Sequence, residues 1–127
     1  MAKILLAEDE KQIADMISFK LGNSGHRIVR AEDGEQAVSL AGREQPDLIL
    51  LDVMMPGLSG FEVLRRLKTD ATLRSIPVIM VTAKGNEHDV LSGLRGGAVD
   101  YIVKPFSLKE LSARVELALR KEPPTGA

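Results

Sequence analysis

Leu48-Ile49-Leu50-Leu51-Asp52-Val53-Met54-Met55-Pro56-Gly57 decides how this chain folds. An unbroken apolar run ends on a carboxylate, and turn formers follow at once. A short run without polar alternation suits a strand buried on both faces, the normal state of a strand in a parallel sheet covered by helices. Working outward, the same pattern recurs. Ile4-Leu5-Leu6-Ala7 runs into Glu8 and Asp9, Val78-Ile79-Met80-Val81 into Thr82-Ala83, and Tyr101-Ile102-Val103 into Lys104. In a parallel sheet the C-terminal ends of the strands share one rim, so these polar residues converge there. Carboxylates brought face to face repel unless a hard cation sits among them, and oxygen ligands of this kind suit Mg2+. An ammonium beside them neutralises phosphoryl oxygens from a second side, which points to phosphoryl transfer.

Between the strands the apolar period lengthens. Ile13, Met16, Ile17 and Leu21 fall at helical spacing, and Gly22-Asn23-Ser24-Gly25 stops that helix. A strand around Arg27–Ala31 leads through Asp33-Gly34 to a helix with Ala37, Val38 and Ala41, ending before Pro46. Phe61, Leu64 and Leu67 set a third helix. Val90, Leu91 and Leu94 set a looser fourth, weakened by Gly93, Gly96 and Gly97 at about 1 kcal/mol each relative to alanine. Ser107-Leu108-Lys109-Glu110 reads as a capping box before a stripe of Leu108, Leu111, Val115 and Leu119. Five strands alternating with five helices fold most economically as an α/β three-layer sandwich with right-handed crossovers.

The chain has 127 residues, enough for one domain, and its 17 Lys and Arg against 18 Asp and Glu give a net charge of −1. No basic run tracks a phosphate backbone, so direct nucleic-acid binding is not expected. Cysteine is absent, which excludes thiolate metal sites. No apolar stretch approaches the ~18 residues of a membrane span, and Lys3 is followed by too few apolar residues for a signal peptide. The expected compartment is the cytoplasm. Residues 1–121 are expected to form the domain, and 122–127 to be a tail or linker stub.

Each polar residue also has an ordinary reading. Asp9 suits a helix N-cap, although Glu8-Asp9-Glu10 places more acids together than a cap needs. Asp52 suits a turn, Lys104 a snorkelling lysine, Thr82 a β-branched strand residue and Tyr101 a half-buried one. Their joint placement at the ends of four strands shifts the balance towards a site.

With Glu8-Asp9, the stretch from Leu51 to Gly57, Thr82-Ala83 and Lys104-Pro105-Phe106 in view, the chain resembles the receiver domains of bacterial two-component response regulators. The resemblance spans roughly residues 3–121. It implies a (βα)5 doubly wound, flavodoxin-like fold with a parallel sheet of order 2-1-3-4-5. It also implies that Asp52 is the phosphoacceptor, served by a sensor histidine kinase or phosphotransfer protein. Mg2+ would be held by Asp9, Asp52 and the Met54 backbone carbonyl, with Glu8 acting through water. Lys104 and the Thr82 hydroxyl would contact the phosphoryl group, Tyr101 would turn with Thr82, and the Lys104-Pro105 bond would be cis. Met54 and Lys84, each two residues past a site residue, would tune dephosphorylation.

The nearest subfamily resemblance is to winged-helix transcription regulators, whose phosphorylated receivers form homodimers. They do so through the face built from the helix after the fourth strand, the fifth strand and the last helix. Asp100 and Arg114 match one charge pair of that dimer face. Val90 stands where a basic partner for Glu110 is usual, and Arg95 with Glu116 reverses the signs of another pair.

Other functions fit less well. A dehalogenase-type hydrolase needs a second Asp where Met54 stands, and a flavin carrier would have three Phe, one Tyr and no Trp with which to stack its ring. The alternative to phosphorylation is a phosphorylation-independent interaction module on the same fold.

Overall fold

A computed structural model describes residues 1–83, 91–92 and 94–120 of the chain. Lys84, Val90 and the 122–127 tail lie outside the described residues. β1 (Lys3–Ala7), β2 (Arg27–Ala31), β3 (Leu48–Asp52), β4 (Val78–Ala83) and β5 (Asp100–Lys104) form one parallel sheet of order β2-β1-β3-β4-β5. α1 (Lys11–Asn23), α2 (Gly34–Glu44), α3 (Gly60–Thr69) and α4 (Leu108–Arg120) cover its two faces. Of the looser helix expected after β4, Leu91, Ser92, Leu94 and Arg95 are helical. No helix among the described residues is long and apolar enough to cross a membrane.

Alternation along the strands divides the core. Leu5, Ala7, Ile49, Leu51, Val78 and Met80 face α2 and α3, while Ile4, Leu6, Leu48, Leu50, Ile79 and Ile102 face α1 and α4. Both sets are buried, which is why these strands read as continuous apolar runs. The same two-residue period assigns the site. Glu8, Asp52 and Lys104 continue the series facing α1 and α4, whereas Thr82 and Tyr101 continue the other. β4 and β5 each extend past their apolar runs, so Thr82 and Lys104 are strand residues and Ala83 pairs with Lys104 in register.

Two expectations about the helices change in detail. Met16 lies off the buried face of α1, which is formed by Ala14, Ile17 and Leu21, and its side chain is exposed. At α4 only half of the capping box forms. The Glu110 N–H donates to Ser107 Oγ at 2.9 Å, but the Glu110 carboxylate accepts from Arg114 instead of reaching back. A charged donor one turn ahead offers that carboxylate a stronger bond than the Ser107 amide.

Candidate functional site

The sheet order reverses between β1 and β3, and the crevice at such a switch point is where open α/β sheets bind ligands. Glu8 and Asp52 flank it. Their residues are 1% and 4% exposed, so two carboxylates are nearly removed from water at the rim. Lys104, from β5, places its Nζ 2.6 Å from Asp52 Oδ2 and 3.3 Å from Glu8 Oε1. Burial works against the ammonium, but the hydrogen bond and charge of Asp52, helped by Glu8, outweigh it and hold the lysine above its ordinary pKa. The other oxygen of Asp52, Oδ1, accepts from the Met54 N–H at 2.9 Å. The turn reading of Asp52 is thereby realised alongside the ion pair. The Met54 side chain is 72% exposed and leaves the site to the backbone.

Asp9 lies on the exposed turn after β1 and does not cap α1, whose N-cap is Glu10 with no side-chain capping bond. Glu8, Asp9 and Asp52 each offer a carboxylate oxygen within 4.8 Å of the others. That oxygen-only, acidic donor set suits a hard cation that retains water ligands, as Mg2+ does. Thr82 is 2% exposed, and its Oγ1 has no hydrogen-bond partner among the described residues. A buried hydroxyl left unbonded costs about 1–3 kcal/mol, a cost that a hydrogen-bonding ligand would relieve.

Burial, then the hydrogen bond and charge of Asp52, push the Glu8 carboxyl from 4.5 up to about 7, against the smaller pull of the Glu10 amide and Lys104. Between those values the folded chain holds a proton that the unfolded chain has released. The contribution of Glu8 to stability in metal-free buffer is therefore fully present below about pH 4.5 and is lost as pH rises through about 7. Glu8→Gln, which keeps shape and removes the ionisation, should flatten that decline. Urea midpoints measured from pH 5 to 8 check it, and parallel curves for the two proteins would refute the burial account.

Three contributors escape sequence reasoning. Arg30 of β2 donates from Nε to the Glu8 carbonyl and from Nη2 to the Asp9 carbonyl, both at 3.1 Å. Gly60 opens α3 so close to β3 that a Cβ there would lie 2.3 Å from the Asp52 carbonyl oxygen. Gly34 opens α2 against Leu58, where a Cβ would lie 2.5 Å from the Leu58 carbonyl oxygen. Only the glycines were visible in sequence, as turn residues without partners.

The remaining expected residues fall away from this cluster. Tyr101 is half-buried against the core under α2 and α3. Lys104-Pro105 is cis. Asp100 and Arg114 pair within the chain, with Nη1 at 3.0 Å from both carboxylate oxygens, and Arg114 Nε reaches Glu110 at 3.3 Å. Arg95 is exposed, and within the chain the Glu116 carboxylate meets His26 Nε2 at 2.5 Å. Two residues turn an α-helix by about 200°, so Arg114 and Glu116 leave α4 on opposite sides.

Residues 4–116 match the family model described as the response regulator receiver domain. Over 122 residues the chain is 48% identical to the phosphate regulon transcriptional regulatory protein PhoB of Escherichia coli (strain K12), covering 96% of this chain and 53% of that protein. It is 44% identical over 119 residues to the alkaline phosphatase synthesis transcriptional regulatory protein PhoP of Bacillus subtilis (strain 168), covering 94% of this chain and 49% of that protein. The chain thus spans about half the length of the curated relatives it matches. The solved receiver domain of the Francisella response regulator 1452 follows the same backbone path with a TM-score of 0.87 at 35% identity, over 94% of this chain and 98% of that one. Sequence and backbone agree along nearly the whole chain, and the chain belongs to the response regulator receiver domains.

Proposed function

We propose that the chain is a phosphorylation-activated switch in which Asp52 accepts a phosphoryl group from the phosphohistidine of a sensor kinase or phosphotransfer protein. The observation behind this reading is the environment of Asp52: a buried carboxylate with an ammonium at 2.6 Å and two further carboxylates close by. An oxygen of Asp52 attacks phosphorus, a P–O bond forms, the P–N bond breaks, and its electron pair returns to the imidazole nitrogen. The chain is nucleophile and product together and turns over no external substrate. Lys104 moves from pairing with the carboxylate to pairing with the new phosphoryl oxygens, and the unbonded Thr82 hydroxyl donates to another. Asp9, Asp52 and the Met54 carbonyl would hold Mg2+, with Glu8 through water, and the ion supplies neutralisation of phosphoryl charge.

Residues 1–121 serve as the receiver, acting in the cytoplasm. Phosphorylation biases Thr82 and Tyr101, and with them the surface around β5 and α4, towards a state that engages an output partner or a second copy. Asp100 and Arg114 belong to that surface, and their bond within the chain means that pairing across a dimer requires exchange of an existing ion pair. The Met54 side chain offers no strong hydrogen bond to orient a water and that of Lys84 no acceptor to activate one, which favours a persistent phosphoryl group.

Treatment with acetyl phosphate and Mg2+ should add one acid-labile phosphoryl group by intact mass, none when EDTA is present, and shift the sedimentation coefficient of the same sample upward. Absence of the adduct under saturating donor would leave a phosphorylation-independent interaction module as the better reading. An adduct without the shift would confine the output to a different partner.

A further inference from the structure

The two acidic residues that β1 contributes sit on a turn, and turns are mobile unless their backbone groups are tied down. This one is held from the neighbouring edge strand. The Glu8 N–H donates to the Ala31 carbonyl at 3.1 Å, and the Arg30 fork takes the carbonyls of Glu8 and Asp9, each at 3.1 Å. Arg30 pairs in register with Leu6, and its side chain continues the series facing α1 and α4, the side on which Glu8 also falls. On the inner side of the turn, Glu8 Oε2 accepts from the Glu10 N–H at 3.1 Å. The peptide units of Glu8 and Asp9 are thus fixed from the edge strand while their carboxylates turn towards Asp52.

We propose that Arg30 is a positioning residue of the acidic site, fixing the turn that presents Glu8 and Asp9 so that divalent-cation affinity depends on its two-pronged grip. This rests on the reading of the Glu8, Asp9 and Asp52 cluster as a Mg2+ site. Arg30 touches neither the proposed ion nor the phosphoryl group in this role; it acts through the backbone.

The sign of the effect separates positioning from charge. Arg30 is a cation beside an acidic cluster, so on Coulombic grounds alone its removal tightens cation binding. If its hydrogen bonds set the turn, removal loosens binding, because residues that orient ligands commonly change metal affinity by about 10-fold or more. Lysine keeps the charge but lacks the rigid fork, so Arg30→Lys tests geometry at constant charge.

The experiment is calorimetric titration of the chain with MgCl2, without any phosphodonor, for the parent protein, Arg30→Gln and Arg30→Lys. Affinity is expected to fall about 10-fold in Arg30→Gln and by a smaller factor in Arg30→Lys. The Mg2+ concentration giving half-maximal phosphorylation by acetyl phosphate should rise in step, with the maximal rate affected less. Tighter or unchanged binding in Arg30→Gln overturns the proposal, as does parental affinity in Arg30→Lys. If the parent protein itself takes up no Mg2+, the reading of the cluster as a metal site falls, and this inference with it; if the parent binds and Arg30→Gln binds equally, only the inference falls.

Discussion

Asp52→Asn is expected to abolish phosphoryl incorporation altogether while the fold survives. The amide has no nucleophilic oxygen comparable to a carboxylate, so no P–O bond forms. Its carbonyl oxygen can still accept from the Met54 N–H, as Asp52 Oδ1 does at 2.9 Å. Lys104 loses its 2.6 Å partner but keeps Glu8 at 3.3 Å, so its charge is not stranded. Breaking a buried pair outright costs about 3–5 kcal/mol, but here a second carboxylate remains and one source of repulsion is gone. Because Asp52 stands next after burial among the causes that raise the Glu8 pKa, the substitution should also lower that pKa from about 7.

The neighbouring acids do not substitute. Glu8 is the nearest rival acceptor, yet it is 1% exposed and, near neutral pH, divided between its protonated and ionised forms. Asp9 is ionisable and exposed, but it sits on the turn outside the strand and has no ammonium bonded to it among the described residues. Intact mass after acetyl phosphate and Mg2+, with a thermal melt of the same sample, decides the matter. An acid-labile adduct that persists in Asp52→Asn moves the acceptor to another residue, and a collapsed melt would mean that the ion pair is needed for folding.

The strands and the rim were legible because burial on both faces leaves no polar alternation, and because a parallel sheet forces its strand ends onto one edge. The sequence alone therefore groups Glu8, Asp52, Thr82 and Lys104 at one rim. The sheet order is not legible in this way, since nothing in the apolar runs says which neighbours pair; it came from resemblance and agrees with the structure. Arg30 was invisible for a different reason. An arginine on a half-exposed edge strand looks the same in sequence whether it reaches water or two carbonyls on the next turn. Met16 shows the limit of periodicity, because apolar spacing defines a stripe about a third of a helix wide but not which of its borders is buried. The contact of the Glu116 carboxylate with His26 within the chain was not legible either, since it depends on how the last helix is rotated against the rest of the fold.

Gly60→Ala should produce the largest loss of stability of any single methyl group added to the described glycines. A Cβ at that position would meet the Asp52 carbonyl oxygen at 2.3 Å, the Val53 Cα at 2.8 Å and the Asp52 carbonyl carbon at 3.0 Å. All three are backbone atoms, so no rotamer change relieves the contact. Nor can the backbone yield easily. β3 is paired on both sides, the Val53 N–H donates to the Val81 carbonyl at 2.9 Å, and the Gly60 N–H donates to the Val53 carbonyl at 2.9 Å. Relief therefore requires the start of α3 to lift from the sheet, exposing Val63, Leu64 and Leu67, or the end of β3 to shift and take the Asp52 carboxylate with it. Overpacking in a core costs about 1–3 kcal/mol and occasionally more, and a clash with fixed backbone belongs at the upper end. A loss of about 3 kcal/mol would lower the melting temperature by about 10 °C. Gly57 is the control. It has a φ of +77° but open space where a Cβ would go, so Gly57→Ala meets only the left-handed backbone penalty of about 1–2 kcal/mol. Chemical denaturation of both variants tests the ordering, and a Gly60→Ala protein as stable as Gly57→Ala would show that α3 and β3 are not packed as closely as this steric argument requires.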